Sequence, residues 1–306
     1  MDSSIPVVDL VDFKDASRRW AFVEAVGSAL QEYGFVAVEG HGIEEALLEQ
    51  TYAAASAVFA LDEETKRRCE RPQEGRQRGY TPFGVEHAKT TKVADLKEFW
   101  HVGVELPTSH PLFVRGVMPH NVFPPEVPEF KDLALRLFGQ MEGLALELLT
   151  AIGLYLDQPE GRFRDLALEG NSVLRIINYP DVGMVPAGAV RAAAHEDINL
   201  LTVLPASTKP GLELQRRDGQ WMSVDVPAGS MICDTGDMMQ LLTAGRLPAT
   251  THRVVNPEAS DGGRMSMPFF LHPHPYAVLA PIDPSYGPSI PAMEFFTRRL
   301  KETGVK

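Results

Sequence analysis

The residues with the clearest chemical potential are two histidines and an aspartate: His195, Asp197 and His252. The apolar and β-branched residues around them predict strands over about 191–204 and about 250–255. Side chains alternate between the two faces of a strand, so His195 and Asp197 are expected to point to the same side. Two imidazoles and one carboxylate leave about three positions of an octahedral metal open, an arrangement associated with non-haem Fe(II) oxygenases. We therefore expect these three residues to hold one ferrous iron.

A second pair of polar residues, Arg264 and Ser266, opens the next predicted strand and shares one of its faces. A guanidinium beside a hydroxyl matches a carboxylate, because the planar fork donates two parallel charge-assisted hydrogen bonds and the hydroxyl adds a third. Each feature alone has a structural explanation. His195 and Asp197 also fit a surface strand pair, and Arg264 also fits an exposed charge beside a hairpin turn. Together they predict an organic acid bound through a carboxylate beside the metal.

The order H-x-D, then His, then R-x-S resembles the isopenicillin N synthase-like group of Fe(II)/2-oxoglutarate oxygenases. The similarity extends over nearly the whole chain, and further matching segments lie at 5–10, 33–43, 79–80, 97–98, 178–180 and 235–246. It implies Fe(II), 2-oxoglutarate as co-substrate, and O2. It also implies that the C5 carboxylate of 2-oxoglutarate is held by Arg264, Ser266 and Tyr179.

The chain departs from that family pattern at two places. Many relatives have an asparagine two residues before the tyrosine, but here the position is Ile177 and the asparagine is Asn178, on the opposite face. The distance from His252 to Arg264 is about two residues longer than is common. An even-numbered insertion keeps the alternation in phase, so Arg264 is still expected to face inward.

The predicted fold is mainly β with flanking helices. Short strands between Gly, Pro and Asp turns follow position 171, a pattern typical of a sandwich or barrel. The ligand order favours a double-stranded β-helix, the jelly-roll or cupin-like core. We expect an N-terminal α/β region with substrate-facing loops at 1–125 and a helix-buttressed jelly-roll core at 126–306, together one continuous structural unit. Helices are predicted at 17–33, 44–61, 128–156 and 291–301, and strands at 172–179, 193–204, 211–216, 221–224, 230–234, 250–256 and 265–272.

Substrate contacts are expected from the polar loops and from the ends of strands. In the loop region the candidates are Arg76, Arg78 and Tyr80, for each of which a solvated loop residue is the alternative. Alternation also places Phe270 and His272 on the face of the predicted carboxylate-binding residues, which predicts that they line the substrate side of the pocket.

Composition narrows the partners and the location. The net charge is -12 and no basic run occurs, so neither nucleic acid nor an anionic membrane is an expected partner. Cys69 and Cys233 are too few for a disulfide framework, which favours a reducing, cytoplasmic location. The N-terminus has no signal-peptide pattern, and no stretch is expected to approach the length of a membrane span. We expect a monomer whose partner is a small-molecule substrate.

The resemblance implies oxidation of a small molecule with release of succinate and CO2, by default a hydroxylation and otherwise a desaturation or a ring closure. Three alternatives remain open. The first is an iron oxidase of the same fold that does not use 2-oxoglutarate, isopenicillin N synthase-like or ethylene-forming, which shares Arg264-x-Ser266. The second is a jelly-roll isomerase or hydrolase with Zn or Mn. The third is a non-catalytic binding module, which the complete triad disfavours.

Overall fold

The computed structural model describes residues 4–85, 97–181, 191–206, 211–255 and 263–302. The helices of these residues are α1 (Leu10–Lys14), α2 (Arg19–Tyr33), α3 (Glu45–Phe59), α4 (Glu63–Arg67), α5 (Pro111–Val114), α6 (Glu129–Tyr155), α7 (Gly161–Ala167), α8 (Asp237–Leu242) and α9 (Ala292–Glu302). Their strands are β1 (Val7–Asp9), β2 (Phe35–Glu39), β3 (Gly79–Thr81), β4 (Glu98–Gly103), β5 (Val173–Tyr179), β6 (Ala192–His195), β7 (Leu201–Pro205), β8 (Leu212–Gln215), β9 (Trp221–Ser223), β10 (Met231–Thr235), β11 (His252–Val254), β12 (Arg264–Ser266), β13 (Phe269–Leu271), β14 (Val278–Leu279) and β15 (Ile290–Pro291).

Nine of the described strands form one large sheet. Its order is β1, β2, β10, β7, β13, β5, β4 and β3, and β12 also pairs with β5. β1 and β2 are parallel, whereas β10 is antiparallel to both of its neighbours, β2 and β7. Strands of the predicted N-terminal region, 1–125, and of the predicted core, 126–306, therefore lie in the same sheet.

A smaller sheet of four described strands, in the order β6, β11, β8 and β9, lies against the inner face of the large one. Apolar side chains from both sheets fill the space between them: Phe35, Ala37 and Ile232 from the large sheet, and Leu212, Leu214 and Met222 from the small sheet. Two facing sheets with helices outside confirm the predicted mainly β fold with a jelly-roll core.

The long helix α6 covers the outer face of the large sheet, as its apolar periodicity predicts. Phe138 packs edge-on against Phe269, with ring centroids 5.0 Å apart, and Phe130 packs in the same way on Trp100 at 5.7 Å. The helix is apolar on most sides because other helices cover it from outside, and by length and composition alone Glu129–Tyr155 is long enough to cross a membrane. The expectation that no stretch has this length is therefore wrong. However, 61% of the most apolar stretch of this helix is buried, so the helix belongs to the core of the fold.

The corner between α2 and β2 helps to place one of the predicted metal ligands. As predicted, α2 ends at Tyr33, and Gly34 follows with a φ of 70°. A Cβ at Gly34 would lie 2.2 Å from Oγ1 of Thr250, so only glycine lets the two segments approach this closely. The Thr250 hydroxyl donates to the Tyr33 carbonyl at 2.8 Å. The carbonyl of Thr250 is in turn 3.1 Å from Nδ1 of His252, which it holds in place.

Two predicted strands are interrupted in the structure. The strand predicted at 193–204 is two strands in different sheets, because β6 ends at His195 and β7 begins at Leu201. Asp197 therefore lies in the connection between the sheets. The strand predicted at 265–272 is divided into β12 and β13 around Pro268, which cannot donate a backbone hydrogen bond. The longer turn before Arg264 lies in 256–262, outside the described residues.

Candidate metal centre

The three predicted metal ligands converge at the open end of the two sheets. His195, the last residue of β6, lies directly opposite His252, the first residue of β11, and the two ring centroids are 4.4 Å apart. Oδ1 of Asp197 is 3.7 Å from Nε2 of His195 and 3.9 Å from Nε2 of His252. One potential ligand atom from each residue lies within 4.8 Å of the other two, and among the described residues this is the one such group of His, Cys, Asp and Glu. The cluster is compact enough for a single ion to contact all three side chains.

Backbone carbonyls determine which nitrogen of each imidazole is available. Nδ1 of His195 is 2.7 Å from the carbonyl of Ala193, and Nδ1 of His252 is 3.1 Å from the carbonyl of Thr250. A carbonyl only accepts hydrogen bonds, so in the neutral form of each ring Nδ1 carries the hydrogen and Nε2 keeps a lone pair. The two lone pairs point to the side of Asp197. This pairing of the second ring nitrogen is typical of histidines that bind metals.

Hydrogen bonds also orient the aspartate. The hydroxyl of Thr202 donates to Oδ2 of Asp197, and Nδ2 of Asn199 donates to the Thr202 oxygen at 2.9 Å. The backbone carbonyl of Asp197 accepts from the N–H of Asp237 at 2.8 Å. Oδ1 therefore remains as the oxygen that faces the two imidazoles. Each of the three side chains is oriented by a hydrogen bond at the atom that does not face the cluster. Two nitrogen donors and one carboxylate oxygen held in this way fit a ferrous ion that keeps open coordination positions.

The surroundings of the site shift the pKa values of two of its groups. Partial burial, together with the nearby His252, lowers the pKa of His195 to about 4, so this ring is neutral at neutral pH. Burial and the nearby charge of Asp197 raise the pKa of Asp234 well above its ordinary value. Metal binding requires both imidazoles to be neutral, so a divalent ion held by them and by one carboxylate would keep a net charge of +1. Such a site attracts an anionic co-substrate.

The predicted carboxylate-binding residues lie on the inner face of the large sheet. In the pairing of β12 with β5, Arg264 is opposite Tyr179 and Ser266 is opposite Ile177, so these side chains share a face. That face also carries Phe270, whose partner on β7 is Thr202, the residue that bonds Asp197. Arg264 and Tyr179 are both buried. A buried guanidinium, a hydroxyl and a phenol on the metal's side of the sheet can hold a carboxylate.

Phe270 and His272 lie on the inner face, as alternation predicts. The His272 ring packs edge-on against Phe296 of α9, with centroids 5.1 Å apart. Burial, to which the nearby guanidiniums of Arg78 and Arg175 add, lowers the pKa of His272 to about 4. Among the described residues, none donates to or accepts from its ring nitrogens. His272 is thus a neutral imidazole with a donor and an acceptor available to a ligand.

The loop candidates for substrate contact divide between the two faces of the sheet. The side chain of Arg76 is 3.3 Å from Glu70, whereas Arg78 is fully buried and donates to Oδ1 of Asn171 at 2.9 Å. Tyr80 lies on the outer face and donates to Glu98 at 2.6 Å, contrary to the expectation that it meets substrate.

The physical reason lies in the glycine between Arg78 and Tyr80. Gly79 has a φ of 75°, which breaks the alternation of side chains there. A Cβ on this glycine would lie 2.2 Å from the carbonyl oxygen of Cys69. The strand therefore turns Tyr80 toward α4, where Nζ of Lys66 lies 5.3 Å from its ring centre, while Arg78 stays on the inner side.

The sequence analysis predicted no role for several residues of the inner face. Nε of Arg175 donates to Nε2 of His101 at 2.7 Å, and Nδ1 of His101 donates to the carbonyl of Arg76 at 2.9 Å. The guanidinium carbon of Arg175 lies 4.4 Å from the ring centre of Phe99 and 5.6 Å from that of Phe270. Alternation along β5 puts Arg175 on the face of Tyr179, and this was the available signal. Nothing in the sequence distinguishes Thr202 from other β-branched residues of β7.

Two segments of the chain match known protein families. Residues 5–126 match the family described as non-haem dioxygenase in morphine synthesis N-terminal, and residues 170–273 match the 2OG-Fe(II) oxygenase superfamily. A 2-oxoglutarate-dependent dioxygenase from Penicillium crustosum is 28% identical over 98% of this chain and 93% of its own length. Leucoanthocyanidin dioxygenase 1 from Oryza sativa subsp. indica is 31% identical over 90% of this chain and 72% of its own length. A crystal structure assigned to the 2OG-Fe(II) oxygenase family, from Caulobacter crescentus, is 37% identical with a TM-score of 0.88, over 98% of this chain and 99% of that one.

Proposed function

The chain belongs to the 2OG-Fe(II) oxygenase superfamily, and from this premise we propose that it hydroxylates a C–H bond of a small organic molecule. The family uses Fe(II), 2-oxoglutarate and O2, and the chain is accordingly a non-haem 2-oxoglutarate-dependent oxidoreductase. The observation that carries the proposal is the convergence of two Nε2 atoms and one carboxylate oxygen within 4.8 Å. Hydroxylation is the default outcome of this chemistry, whereas desaturation and ring closure need a more specific placement of the substrate.

His195, Asp197 and His252 are the residues that we assign to the iron. Bound there, Fe(II) supplies the activation of O2 that is coupled to decarboxylation of 2-oxoglutarate to succinate and CO2. The protein contributes the orientation of its ligands: the two Nδ1–H groups are held by carbonyls, and Thr202 holds one oxygen of Asp197. No side chain has to act as a general base in this reaction.

We assign the distal carboxylate of 2-oxoglutarate to Arg264, Ser266 and Tyr179. Burial of Arg264 and Tyr179 supports this assignment, because a charged pair between guanidinium and carboxylate is worth more when water is excluded. The cross-strand pairing of Arg264 with Tyr179 supplies two of the donors from neighbouring strands. Phe270 shares the face of this group and lies opposite Thr202, the residue that bonds Asp197.

We assign the substrate to the part of the inner face that carries Phe270, His272 and Arg175. The aromatic ring supplies apolar contact, and the neutral His272 offers a hydrogen-bond donor and an acceptor. Arg175 adds a cation whose orientation is fixed by His101. A small molecule with an apolar body and at least one hydrogen-bonding group fits these residues best.

We further propose that the protein works as a cytoplasmic monomer, with its two sequence regions acting as one unit. The shared large sheet supports the single unit, because it contains β1 to β4 together with β5, β7, β10, β12 and β13. The two buried free cysteines suit a reducing compartment. A net charge of -12 argues against nucleic acid as a partner.

The test is an anaerobic titration of the protein with Fe(II) and then with 2-oxoglutarate. Chelation of ferrous iron by the keto acid is expected to produce a charge-transfer absorption in the visible range, and the Asp197→Ala variant is expected to produce none. A screen for small molecules that accelerate succinate release in air then identifies the substrate class. Formation of one succinate per O2 consumed supports the proposal. Turnover that continues without O2 would refute it and favour a jelly-roll isomerase or hydrolase.

A further inference from the structure

Glu196 lies between two metal-binding residues, and its side chain takes part in a polar network behind them. We propose that Glu196, Thr251, Asp237 and Arg299, here called the rear brace, position the iron ligands and fasten helix α9 to the metal centre. They are positioning residues, and none of them touches the metal. The inference rests on the proposed function, because the brace matters for activity only if His195, Asp197 and His252 hold iron.

The first link of the rear brace connects the two strands that carry the histidines. Oε1 of Glu196 accepts a hydrogen bond from the hydroxyl of Thr251 at 2.9 Å. Glu196 is the immediate neighbour of His195 and Asp197, and Thr251 is the immediate neighbour of His252. The two ligand segments are therefore joined by a side-chain bond that is independent of any metal. Loss of this bond leaves the pairing of β6 with β11 as their direct connection.

The second link comes from α9. Arg299 places Nε 2.7 Å and one terminal nitrogen 2.6 Å from Oδ2 of Asp237, and the same terminal nitrogen is 3.7 Å from Oε2 of Glu196. The backbone N–H of Asp237 donates to the carbonyl of Asp197 at 2.8 Å. A continuous path therefore runs from Glu196 through Arg299 and Asp237 back to the backbone of the third ligand.

The link between Asp237 and Arg299 is more buried than an ordinary surface ion pair, whereas the Glu196 side chain is 39% exposed. The side chain of Asp237 is 9% exposed and that of Arg299 is 23% exposed. Exposed pairs contribute little because water and salt screen them, but a shared guanidinium in a partly dry network holds its geometry. Hydrogen bonds made to metal ligands by residues behind them tune metal affinity, because they orient the ligands.

Helix α9 also reaches the substrate side of the site. Its Phe296 packs on His272, with ring centroids 5.1 Å apart, one turn before Arg299. The same helix thus contacts the proposed substrate wall through Phe296 and the back of the metal centre through Arg299. Detachment of Arg299 is therefore expected to loosen both the ligand geometry and the wall of the pocket.

The experiment compares Arg299→Gln with a matched control, Arg298→Gln. Arg298 is the neighbouring cation on α9, and its guanidinium lies over the ring of Phe295 at 5.5 Å, outside the rear brace. The probe is Mn(II), whose dissociation constant is measured from the electron paramagnetic resonance signal of the free ion. We expect Arg299→Gln to weaken Mn(II) binding about tenfold. Arg298→Gln is expected to bind Mn(II) as the wild type does, and Arg299→Lys to restore part of the loss.

Glu196→Gln and Thr251→Val provide a second route if Arg299→Gln folds poorly. Glu196→Gln keeps an acceptor for Thr251 and removes the charge that faces Arg299, whereas Thr251→Val removes the bond between the ligand strands. Both are expected to weaken Mn(II) binding. Wild-type Mn(II) affinity in Arg299→Gln or in both of these variants, even with a lower melting temperature, overturns the brace. A wild-type protein that binds neither Mn(II) nor 2-oxoglutarate overturns the proposed function itself.

Discussion

The hydroxyl of Thr202 donates to Oδ2 of Asp197, which leaves Oδ1 as the oxygen that faces both imidazoles. The relationship matters because a carboxylate free to rotate can also bind a metal through both oxygens. With Oδ2 engaged by Thr202, Asp197 would offer a metal ion only its Oδ1. Asn199 fixes the threonine in turn, since its amide donates to the same hydroxyl oxygen at 2.9 Å.

Replacement of Thr202 by valine, which has the same shape without the hydroxyl, is expected to weaken Mn(II) binding about tenfold. Asp197→Ala is expected to abolish binding, because it removes a ligand. The measurement is calorimetric titration of the metal-free protein. Thr81→Val is the matched control, because the Thr81 hydroxyl is buried and has no partner among the described residues. Equal metal affinity in the Thr202 and Thr81 variants would show that the hydrogen bond has no role in the site.

Arg264 is predicted to act on 2-oxoglutarate and not on the metal. Replacement by glutamine removes a charge-assisted bond worth about 1.5–3 kcal/mol. The dissociation constant for 2-oxoglutarate is therefore expected to rise about 10- to 150-fold. Mn(II) affinity is expected to stay unchanged, and Ser266→Ala is expected to have a smaller effect in the same direction. Arg253→Gln is the control, since Arg253 pairs with Glu213 at 2.7 Å, away from the carboxylate-binding group. A matched loss in both arginine variants contradicts the assignment.

His272 predicts a specific pH dependence of stability. Burial lowers its pKa from 6.5 to about 4, so on acidification the unfolded chain binds a proton before the folded protein does. This difference favours the unfolded state, and the contribution of His272 to stability is lost as the pH falls from about 6.5 to about 4.

The expected result is that His272→Gln flattens this part of the stability curve by up to about 3 kcal/mol. The free energy of unfolding is measured with urea at several pH values on metal-free protein, so that the remaining histidines contribute equally to both curves. His274→Gln is the control for the loss of one imidazole two residues away. Parallel curves for the wild type and His272→Gln would mean that His272 titrates normally in the folded protein.

The metal centre was predictable because it depends on residue types. Histidine and aspartate at short spacing, followed by a second histidine, indicate a metal ligand set wherever the strands run. The path of the backbone was harder to predict from the sequence. The segment at 191–204 reads as one apolar strand, yet it crosses between sheets after His195, and Asp197 reaches the site from that crossing. A pattern of apolar residues does not record which sheet they join.

Tyr80 and Thr202 show two further limits of sequence patterns. Alternation puts Tyr80 on the face of Arg78, but the positive φ of Gly79 turns it to the opposite side. The backbone geometry of a single glycine therefore decides on which face of the sheet Tyr80 lies. Thr202 is a β-branched residue in a β-branched strand, so its sequence context predicts only strand formation. Its role follows from a tertiary hydrogen bond to Asp197, which no local pattern encodes.

Gly236 offers a test of how closely the ligand segment is packed. A Cβ at this position would lie 2.4 Å from the backbone oxygen of Asn199, two residues after Asp197. Because that atom belongs to the backbone, the segment itself has to move. We expect Gly236→Ala to destabilise the fold by about 1–3 kcal/mol and to weaken Mn(II) binding.

Gly139→Ala is the matched substitution, at an exposed position within α6 where an added Cβ meets nothing within 4 Å. It is expected to stabilise the protein by about 0.5–1 kcal/mol, because alanine loses less backbone entropy than glycine on forming a helix. Urea denaturation measures both effects, and metal titration measures the first variant. Opposite signs for the two alanines indicate that steric contact at Gly236 outweighs the gain in backbone entropy. A stabilising Gly236→Ala with unchanged Mn(II) affinity would mean that the connection after Asp197 tolerates displacement, and that the ligand geometry depends on the Thr202 bond instead.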